Sequence, residues 1–345
     1  MQTPRTLRSI ALALLLLPEA LQAQSLELPP AKQNGPSNHA VQLPAQNFED
    51  TVKAPNTTKE RFGHFTVAGG IYLLQPVFDT NSAFIVNAGA GNLQRHVSFS
   101  HNLEFSPNVW LGYVSERGWG VRGRWFQFDH DSTSVYAAGP GETITGISAL
   151  TLGRIPVAGT VATSSNLAVN VADFQVTCSF ESSRWTHLLG FGARYSHMSQ
   201  DYRTTLSNIG TRIDLTSGHN FNGVGPSFSL ESKCKIKESG FAIYGQAHGA
   251  ILFGTGKEMY TAVNNGTPQQ LAREESRVLP VGELEVGAEY QRNVGRAKAF
   301  LQAGFVGQVW WGGGNASNLD AVGFGSASHS NFGFVGLALR AGVRY

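Results

Sequence analysis

The chain has 345 residues, of which 14% are charged, 10% are aromatic and 40 are glycine. A soluble domain has roughly 25% charged residues and about 7% glycine, so this composition indicates a large surface that does not face bulk water. The formal net charge of +2 disfavours a nucleic-acid-binding function, because such proteins carry clustered Lys and Arg.

The N-terminus has the features of an export signal. Two arginines precede the apolar run IALALLLL, and Ala23 is a small residue before a cut at about Gln24. The run is too short for a transmembrane helix, which needs about 20 apolar residues. We predict a signal peptide over residues 1–23, a Pro- and Asn-rich disordered periplasmic linker over residues 24–61, and a folded β-barrel over residues 62–345.

Beyond the linker, apolar residues alternate with other residues in ten long segments. Strands of soluble proteins average about 5 to 6 residues, whereas a tilted membrane strand needs at least about 9 to 11. Most of the segments run to 12 or more residues, which favours membrane strands. The predicted strands are His64 to Gln75, Asn102 to Ser115, Gly118 to Asp131, Ser165 to Ser179, Trp185 to Tyr202, Asn220 to Lys235, Gly240 to Phe253, Val278 to Gln291, Ala297 to Trp311 and Phe332 to Tyr345.

Long and short connections alternate strictly between these segments. Because antiparallel strands alternate direction, all four short turns and both termini lie on one side of the sheet. This order predicts an all-β fold, an antiparallel transmembrane β-barrel of ten strands with short periplasmic turns and long extracellular loops. Twelve strands are the alternative if Thr145 to Thr163 forms another hairpin, and a soluble secreted β-protein is a further alternative. The long loops are predicted at Pro76 to His101, Ser132 to Ser164, Arg203 to His219, Gly254 to Arg277 and Gly312 to Asn331.

One face of each predicted strand is apolar and the other is mixed. Glu283, Glu285 and Glu289 share one face of the eighth strand, where they would be costly in a dry core but not in a wet lumen. The lumen assignment is weakest on the third strand. Its arginines share a face with the apolar Phe126 and Phe128, unless a β-bulge changes the alternation between them. The predicted lumen-facing side chains are Glu104, Arg122, Arg124, Arg194, Glu283, Glu285, Glu289, Gln302, Gln308, Arg340 and Arg344.

Aromatic residues occur where the membrane boundaries are expected. Trp119, Trp185 and Tyr345 lie near the short turns, and Trp310 and Trp311 lie just before a long loop. Tyr and Trp favour this boundary because the ring is apolar while the OH or NH stays hydrated. We therefore predict two aromatic girdles.

The two cysteines, Cys178 and Cys234, share a phase with apolar neighbours on the fourth and sixth strands. One strand lies between them, which places them roughly 9 to 10 Å apart. A disulfide needs Cα atoms within about 7 Å. The sequence therefore predicts two free thiols that face lipid or an interface, with an interchain disulfide in a homo-oligomer as the alternative.

Several stretches together resemble the Legionella-type major outer-membrane protein family of pore-forming β-barrels. They include NLEFSPNVWLGYVSERGWGVRGRWFQF from Asn102, LLGFGARYSHMSQDY from Leu188, FAIYGQAHGAILFGTG from Phe241 and the terminal FGFVGLALRAGVRY. The resemblance implies an outer-membrane location in a Gram-negative-type envelope, contact with outer-membrane lipid, and no catalytic residues or cofactor. It also implies that the barrel-assembly machinery reads the terminal strand as an insertion signal, through Leu337, Leu339, Ala341, Val343 and Tyr345.

The expected function is a porin-like pore for passive diffusion of small solutes, with selectivity set by lumen width and wall charge. The alternative is a structural or adhesive outer-membrane barrel with ligand-binding surface loops and no open pore, since the wall charges can also pair and plug a narrow barrel. The sequence has no G-x-S-x-G elbow, complete phosphate-binding loop or H-E-x-x-H pair, so we predict no enzymatic activity and no metal site. An outer-membrane protease or lipase with a dispersed site is the competing enzyme hypothesis.

Overall fold

The computed structural model of the protein describes residues 63–88, 93–150, 155–237, 239–317 and 330–345. The predicted signal peptide and linker lie outside these ranges. Among the described residues, no helix is long and apolar enough to cross a membrane. The secondary structure of these ranges consists of thirteen β-strands.

Ten of the strands form a closed antiparallel barrel, which confirms the predicted fold and all ten predicted strands. The other three, β2 (Ser82–Ala88), β3 (Leu93–Ser98) and β6 (Glu142–Gly146), form a small sheet in the order β3-β2-β6. The barrel strands are β1 (His64–Phe78), β4 (Glu104–Val114), β5 (Trp119–Ala137), β7 (Thr160–Ser182), β8 (Trp185–Asn208), β9 (Thr211–Lys235), β10 (Phe241–Asn264), β11 (Thr267–Val294), β12 (Ala297–Trp310) and β13 (Phe332–Arg344).

The twelve-stranded alternative is wrong. The described part of Thr145 to Thr163 contributes the end of β6 and the start of β7, and between these strands it forms only an isolated bridge from Val157 to Ile144 of β6. Around the barrel the strands follow the order β1-β13-β12-β11-β10-β9-β8-β7-β5-β4, and β4 pairs again with β1. At about 4.8 Å per strand and about 40° of tilt, a ten-stranded barrel has a backbone diameter of roughly 20 Å.

The terminal strand β13 closes the barrel by pairing with β1, as the sequence predicts. The pairing continues to the last residue, where the Tyr345 amide donates to the Phe65 carbonyl at 2.9 Å and the Phe65 amide donates to the Tyr345 carbonyl at 2.8 Å. An unpaired edge strand would expose backbone groups, which a membrane does not tolerate.

Deletion of Tyr345 is expected to reduce the amount of barrel that reaches the outer membrane. The deletion removes two hydrogen bonds at the closing seam and the terminal aromatic ring. Quantification of folded protein in outer-membrane fractions, by heat-modifiable gel mobility, measures the effect. Tyr345→Phe retains the ring and the backbone pairing and is the matched control. Normal levels of the truncated protein would remove Tyr345 from the insertion signal.

Two of the predicted long loops are instead the upper parts of β-hairpins. The segment Arg203 to His219 is strand except for the turn at Ile209 and Gly210, and Gly254 to Arg277 is strand except for Asn265 and Gly266. Asn265 and Gly266 have φ angles of 47° and 84°, as a type I′ hairpin turn requires. The predicted strands are too short because the outward-facing side chains become polar in these segments, so apolar and polar residues no longer alternate.

The barrel wall is consequently much taller on one side. Strands β7 to β11 have 23 to 28 residues, whereas β1, β4, β12 and β13 have 11 to 15. A membrane crossing needs only about 9 to 11 residues. In a membrane, the tall wall would therefore extend well beyond the bilayer at the end opposite the termini.

The small sheet packs against the inside of this tall wall. Phe84 of β2 and Ile144 of β6 belong to one buried apolar cluster with Tyr202, Leu206 and Leu215 of the barrel, which we call the mouth layer. The Tyr202 hydroxyl donates a 2.7 Å hydrogen bond to the Ala83 carbonyl and accepts one from the Ile147 amide at 3.1 Å. The small sheet is thus held against the inner side of the tall wall by packed apolar side chains and by two hydrogen bonds.

Apolar side chains cover the outer face of the barrel below the polar hairpin tops. Trp119, Trp185 and Tyr345 are exposed there, near the short-turn end. Trp310, in contrast, points inward, is fully buried and stacks on Phe332 with a centroid distance of 5.6 Å. Its assignment to a girdle is wrong, because the inner face at this level is itself apolar.

Cys178 and Cys234 are free thiols, each half-buried. Cys178 lies opposite Leu189 of β8, and Cys234 lies opposite Trp185 of the same strand. The two cysteines therefore differ by four residues in level and are separated by β8, which agrees with the absence of an intrachain bridge between them. An interchain disulfide stays a prediction.

Candidate functional site

The barrel interior is the candidate functional site, and all eleven predicted lumen residues lie on the inner phase of their strands. No bulge is needed in β5, whose inner face carries Arg122 and Arg124 together with Phe126 and Phe128. Nine of the eleven side chains are buried. Arg344 at the short-turn end and Glu104 at the tall end are 22% and 40% exposed.

Among the described residues, the charged side chains of the lower interior form three salt-bridged groups, which together we call the charged layer. Arg194 Nε lies 2.7 Å from Asp173 Oδ1, and Arg124 Nε lies 2.9 Å from Asp173 Oδ2. Lys233 Nζ lies 2.9 Å from Glu231 Oε1 and 2.8 Å from Glu289 Oε2, so it bridges the two carboxylates. The layer contains six cations, Arg122, Arg124, Arg194, Lys233, Arg340 and Arg344, and five carboxylates, Asp173, Glu231, Glu283, Glu285 and Glu289.

Contacts within this layer cross the full width of the barrel. Arg124 on β5 donates to both oxygens of Glu283 on β11, and these two strands lie five positions apart in the ring of ten. Trp110 on β4 and His248 on β10 are also on opposite strands, yet their ring centroids are 6.0 Å apart. Side chains from opposite walls therefore meet at the centre of the lumen.

Trp110 is the central side chain of the charged layer. The guanidinium carbons of Arg340, Arg122 and Arg124 lie 4.3, 5.0 and 5.6 Å from the centroid of its ring. These distances are in the range of cation–π attraction. The ring thus packs among three arginines at the place where a pore would need an open axis.

An apolar cluster lies above the charged layer, and we call it the middle apolar layer. Phe128 of β5 and Phe334 of β13 approach across the interior with ring centroids 4.6 Å apart. Its main members are Leu74, Phe126, Phe128, Val169, Met198, Phe221, Leu252, Val306, Trp310, Phe332 and Phe334, all of them buried. This layer explains why the inner face of β5 changes from arginine to phenylalanine without a change in phase.

Histidines and charged residues occupy the level between the two apolar layers. His130 Nε2 lies 2.9 Å from His101 Nδ1, and His130 Nδ1 lies 3.2 Å from Glu104 Oε1. His219 Nδ1 lies 3.6 Å from Glu258, and its Nε2 lies 3.0 Å from the Gly313 carbonyl. Within the described residues, no group of three or more His, Cys, Asp or Glu side chains has a geometry that could hold a metal ion.

The sequence did not predict three members of the charged layer, Asp173, Glu231 and Lys233. It also did not predict that Trp110 packs among the arginines of this layer. Asp173 shares its phase with Gln175 and Thr177, opposite the exposed Phe174 and Val176. Alternation alone would have placed it inside. No sequence signal marks Trp110, because a tryptophan on an alternating strand fits the lipid face equally well.

The family model described as Legionella pneumophila major outer membrane protein precursor matches residues 58–344. The chain belongs to this family. It is therefore an outer-membrane β-barrel protein, as predicted, and its short-turn end faces the periplasm while the tall wall faces outward. A search among curated proteins finds no match.

Solved outer-membrane barrels are similar to this family member at low sequence identity. The Escherichia coli outer membrane protease OmpT is 8% identical, with a TM-score of 0.41, and the match covers 82% of this chain and 96% of that chain. The Pseudomonas putida toluene transporter TodX is 12% identical, with a TM-score of 0.31, over 82% and 88% of the two chains. A Pseudomonas aeruginosa FadL homologue is 8% identical, with a TM-score of 0.25, over 82% and 90%.

The stability of the outer-membrane barrel is expected to fall between pH 6.5 and 4. His101 lies between β3 and β4, outside the membrane strands, and burial followed by the neighbouring His130 lowers the pKa of His101 to about 4. In the unfolded chain the His101 ring binds a proton with a pKa of about 6.5, whereas in the folded chain it stays neutral down to about pH 4. Between these two values, acidification therefore lowers the free energy of unfolding by up to about 1.4 kcal/mol per pH unit.

Urea unfolding of the refolded protein at pH 7 and pH 5 measures this dependence. The variant His101→Gln has no titrating ring at this position, so its unfolding midpoint should change less between the two pH values. His96→Gln, on the exposed strand β3, is the matched control and should retain the wild-type dependence. If the unfolding midpoint of His101→Gln changed with pH as much as that of the wild type, protonation of His101 would not be the cause of the pH dependence.

Proposed function

We propose that this family member is a non-enzymatic structural or adhesive outer-membrane barrel, with a lumen closed to passive diffusion and a functional surface on its extracellular wall. The observation that carries the proposal is the contact between Trp110 and His248, which come from opposite strands and leave 6.0 Å between ring centroids. A porin needs a water-filled axis at this level.

The middle apolar layer supports the same proposal. A hydrated ion or sugar crossing this level would lose its water without gaining polar partners, which costs several kcal/mol. Phe128 and Phe334 are buried and in ring contact across this level. Eight-stranded barrels are filled by side chains, and open channels are best known at 16 to 18 strands, so a ten-stranded barrel falls near the closed end of this range.

The porin-like pore predicted from the sequence is the second candidate, and the charged layer favours it. Six cations and five carboxylates lie on the inner wall, and charges in this position would set the selectivity of a hydrated pore. In the pore hypothesis these pairs would have to rearrange to admit solutes. In the closed-barrel hypothesis they hold the walls together.

If the lumen is closed and lipid covers the lower outer face, the extracellular wall is the surface available for binding a partner. Its hairpins carry exposed ion pairs of both signs, Arg212 with Asp214 at 2.8 Å and Lys257 with Glu274 at 3.3 Å. Exposed pairs of this kind contribute little to stability, typically 0–1 kcal/mol, so they are free to exchange for contacts with a partner. Outer-membrane lipid would contact the apolar outer face below them.

Liposome swelling tests this function. We expect liposomes that contain refolded protein to swell in small sugars no faster than protein-free liposomes, while heat-modifiable gel mobility demonstrates correct folding. Swelling that increases with protein amount and decreases with sugar size would favour the pore and overturn the closed-barrel proposal.

A further inference from the structure

The upper part of β11 is an open edge of the barrel sheet. From Thr267 to Pro280 this strand pairs with β10, whereas its pairing with β12 begins only at Val281, opposite Trp310. Strands β8, β9 and β10 pair on both sides up to their hairpin turns. Among the described residues, the tall wall therefore ends at β11 in a segment that is paired on one side only.

Along this segment, every second residue points its backbone N–H and C=O groups toward the open side. In an antiparallel ladder both groups of one residue face the same neighbouring strand, and the direction alternates from residue to residue. The Trp311 amide donates to the Pro280 carbonyl at 3.1 Å, so the even-numbered residues are those that face away from β10. Pro268 and Pro280 lack an N–H and bound the row of donors. Within the described part of the chain, no hydrogen-bond partner faces the backbone groups of the even-numbered residues between these prolines, which are Gln270, Ala272, Glu274, Ser276 and Val278.

The open edge lies in the polar part of the wall. Glu274 and Ser276 are exposed on the outer face, which becomes apolar only from Val278 downward. On the inner face the Arg273 side chain is 48% exposed, whereas its cross-strand neighbour Glu258 on β10 is buried. Both faces beside the edge are therefore polar and accessible to a partner from outside the cell.

The other end of the tall wall is not open in this way. Strand β5 pairs with β4 only up to Phe126, but residues of this chain lie against the segment above it. Ser106 Oγ of β4 donates to the Gln127 carbonyl. Ser132 Oγ donates at 2.8 Å to the Ser100 carbonyl of the connection between β3 and β4. The edge of β11 is thus the end of the wall that stays available.

We propose that this open edge binds a polar, extended peptide segment of another protein by addition of a β-strand. Its backbone donors and acceptors repeat at intervals of about 6.8 Å, twice the rise per residue of an antiparallel strand. An extended polypeptide is the ligand whose own backbone groups repeat at this spacing. This site rests on the adhesive function proposed above and specifies how that function recognises its partner.

The charges beside the edge define the side chains that the partner needs. Arg273 and Glu275 lie two residues apart on the inner face and are linked to each other at 2.5 Å. A partner strand with an acidic residue opposite Arg273 and a basic residue opposite Glu275 forms cross-strand pairs of opposite charge, whereas the reversed order places like charges together. The strands of a second barrel copy match this edge poorly, because their lipid-facing side chains are apolar.

A labelled synthetic heptapeptide, Thr-Glu-Thr-Lys-Thr-Glu-Thr, is the probe. Its sequence reads the same in both directions, so it places Lys opposite Glu275 and Glu opposite Arg273 in a parallel or an antiparallel arrangement. We expect its fluorescence anisotropy to rise to saturation as refolded protein in detergent is added. The charge-reversed peptide Thr-Lys-Thr-Glu-Thr-Lys-Thr should bind about threefold more weakly. Absence of saturable binding of the first peptide, or equal binding of both, would overturn the proposal.

The variant Ala272→Pro tests the backbone edge itself. It removes an N–H that faces the open side and leaves the ladder to β10, which the odd-numbered residues form, in place. We expect the peptide to bind this variant at least about tenfold more weakly, because a hydrogen bond is lost and the proline ring blocks the edge. Ala272→Thr keeps the N–H and is the matched control, with binding within about twofold of the wild type. Equal binding to the two variants would overturn the site.

Hydrogen exchange of the wild-type protein gives a second readout that decides if Ala272→Pro does not fold. The amides of Ala272, Glu274 and Ser276 should exchange fast in the protein alone and slowly with the peptide bound, while those of Arg273 and Glu275 are slow in both. Protection of the first three before peptide is added would mean that another segment or a second copy already covers the edge, and would overturn the proposal. Liposome swelling reports on the lumen alone, so a failure of the closed barrel with retained peptide binding is distinguishable from a failure of this site.

Discussion

Replacement of Asp173 by alanine is expected to lower the free energy of unfolding by about 3–5 kcal/mol. Asp173 is buried and accepts hydrogen bonds from Arg194 at 2.7 and 3.0 Å and from Arg124 at 2.9 Å. Both hydrogen bonds found for the Arg194 side chain go to this carboxylate. The substitution therefore leaves a buried guanidinium without its counter-charge, a much larger cost than the loss of one surface ion pair.

Urea unfolding followed by tryptophan fluorescence measures this effect. Asp129→Ala removes an exposed carboxylate on the outward phase of β5 and should change the free energy by less than about 1 kcal/mol. The double variant Asp173→Ala with Arg194→Met should recover part of the loss, because the unpaired charge is removed as well. A single variant as stable as Asp129→Ala would mean that the charged layer does not hold the barrel walls together.

Removal of three large inward side chains is expected to convert the closed barrel into a conducting one. Trp110→Ala, Phe128→Ala and Phe334→Ala together remove the contacts that close the charged and middle apolar layers. Each large-to-small substitution costs about 3–5 kcal/mol in a packed core, but the closed backbone ladder of the barrel remains. Planar-bilayer recordings should then show discrete conductance steps.

The matched control removes similar side chains from the outside of the barrel. Trp125→Ala, Phe174→Ala and Phe191→Ala change exposed residues on β5, β7 and β8, so the lumen stays filled. We expect no conductance from this variant. Conductance in both variants would show general leakiness of a weakened barrel, and silence in the folded inward variant would mean that other side chains suffice to close it.

The strands of this barrel were predictable because a membrane imposes a contrast between two faces. Phe241, Ile243 and Phe253 face outward on β10 while Tyr244 and Gln246 face inward, and the period of two marks this directly. The contrast ends above the membrane, where outward Lys257 and inward Glu258 are both polar. For this reason the hairpin tops and the small sheet were predicted as loops.

The state of the lumen was not predictable from the same pattern. Alternation assigned Arg124 and Glu283 correctly to the inner face, but it says nothing about which strands lie opposite each other. The contact between Trp110 and His248 depends on strand number, tilt and stagger together. Trp310 was misplaced for a related reason, since an apolar inner layer removes the difference between the two faces.

Single-channel recording of the wild-type protein tests the closed lumen most directly. Protein refolded in detergent, with folding verified by heat-modifiable mobility, is added to a planar bilayer in 1 M salt, where screening of the wall charges is strongest. The contacts of Trp110 with His248 and of Phe128 with Phe334 predict a silent bilayer. Reproducible steps of uniform size, with a reversal potential that shifts in a salt gradient, would show an open pore and contradict the account.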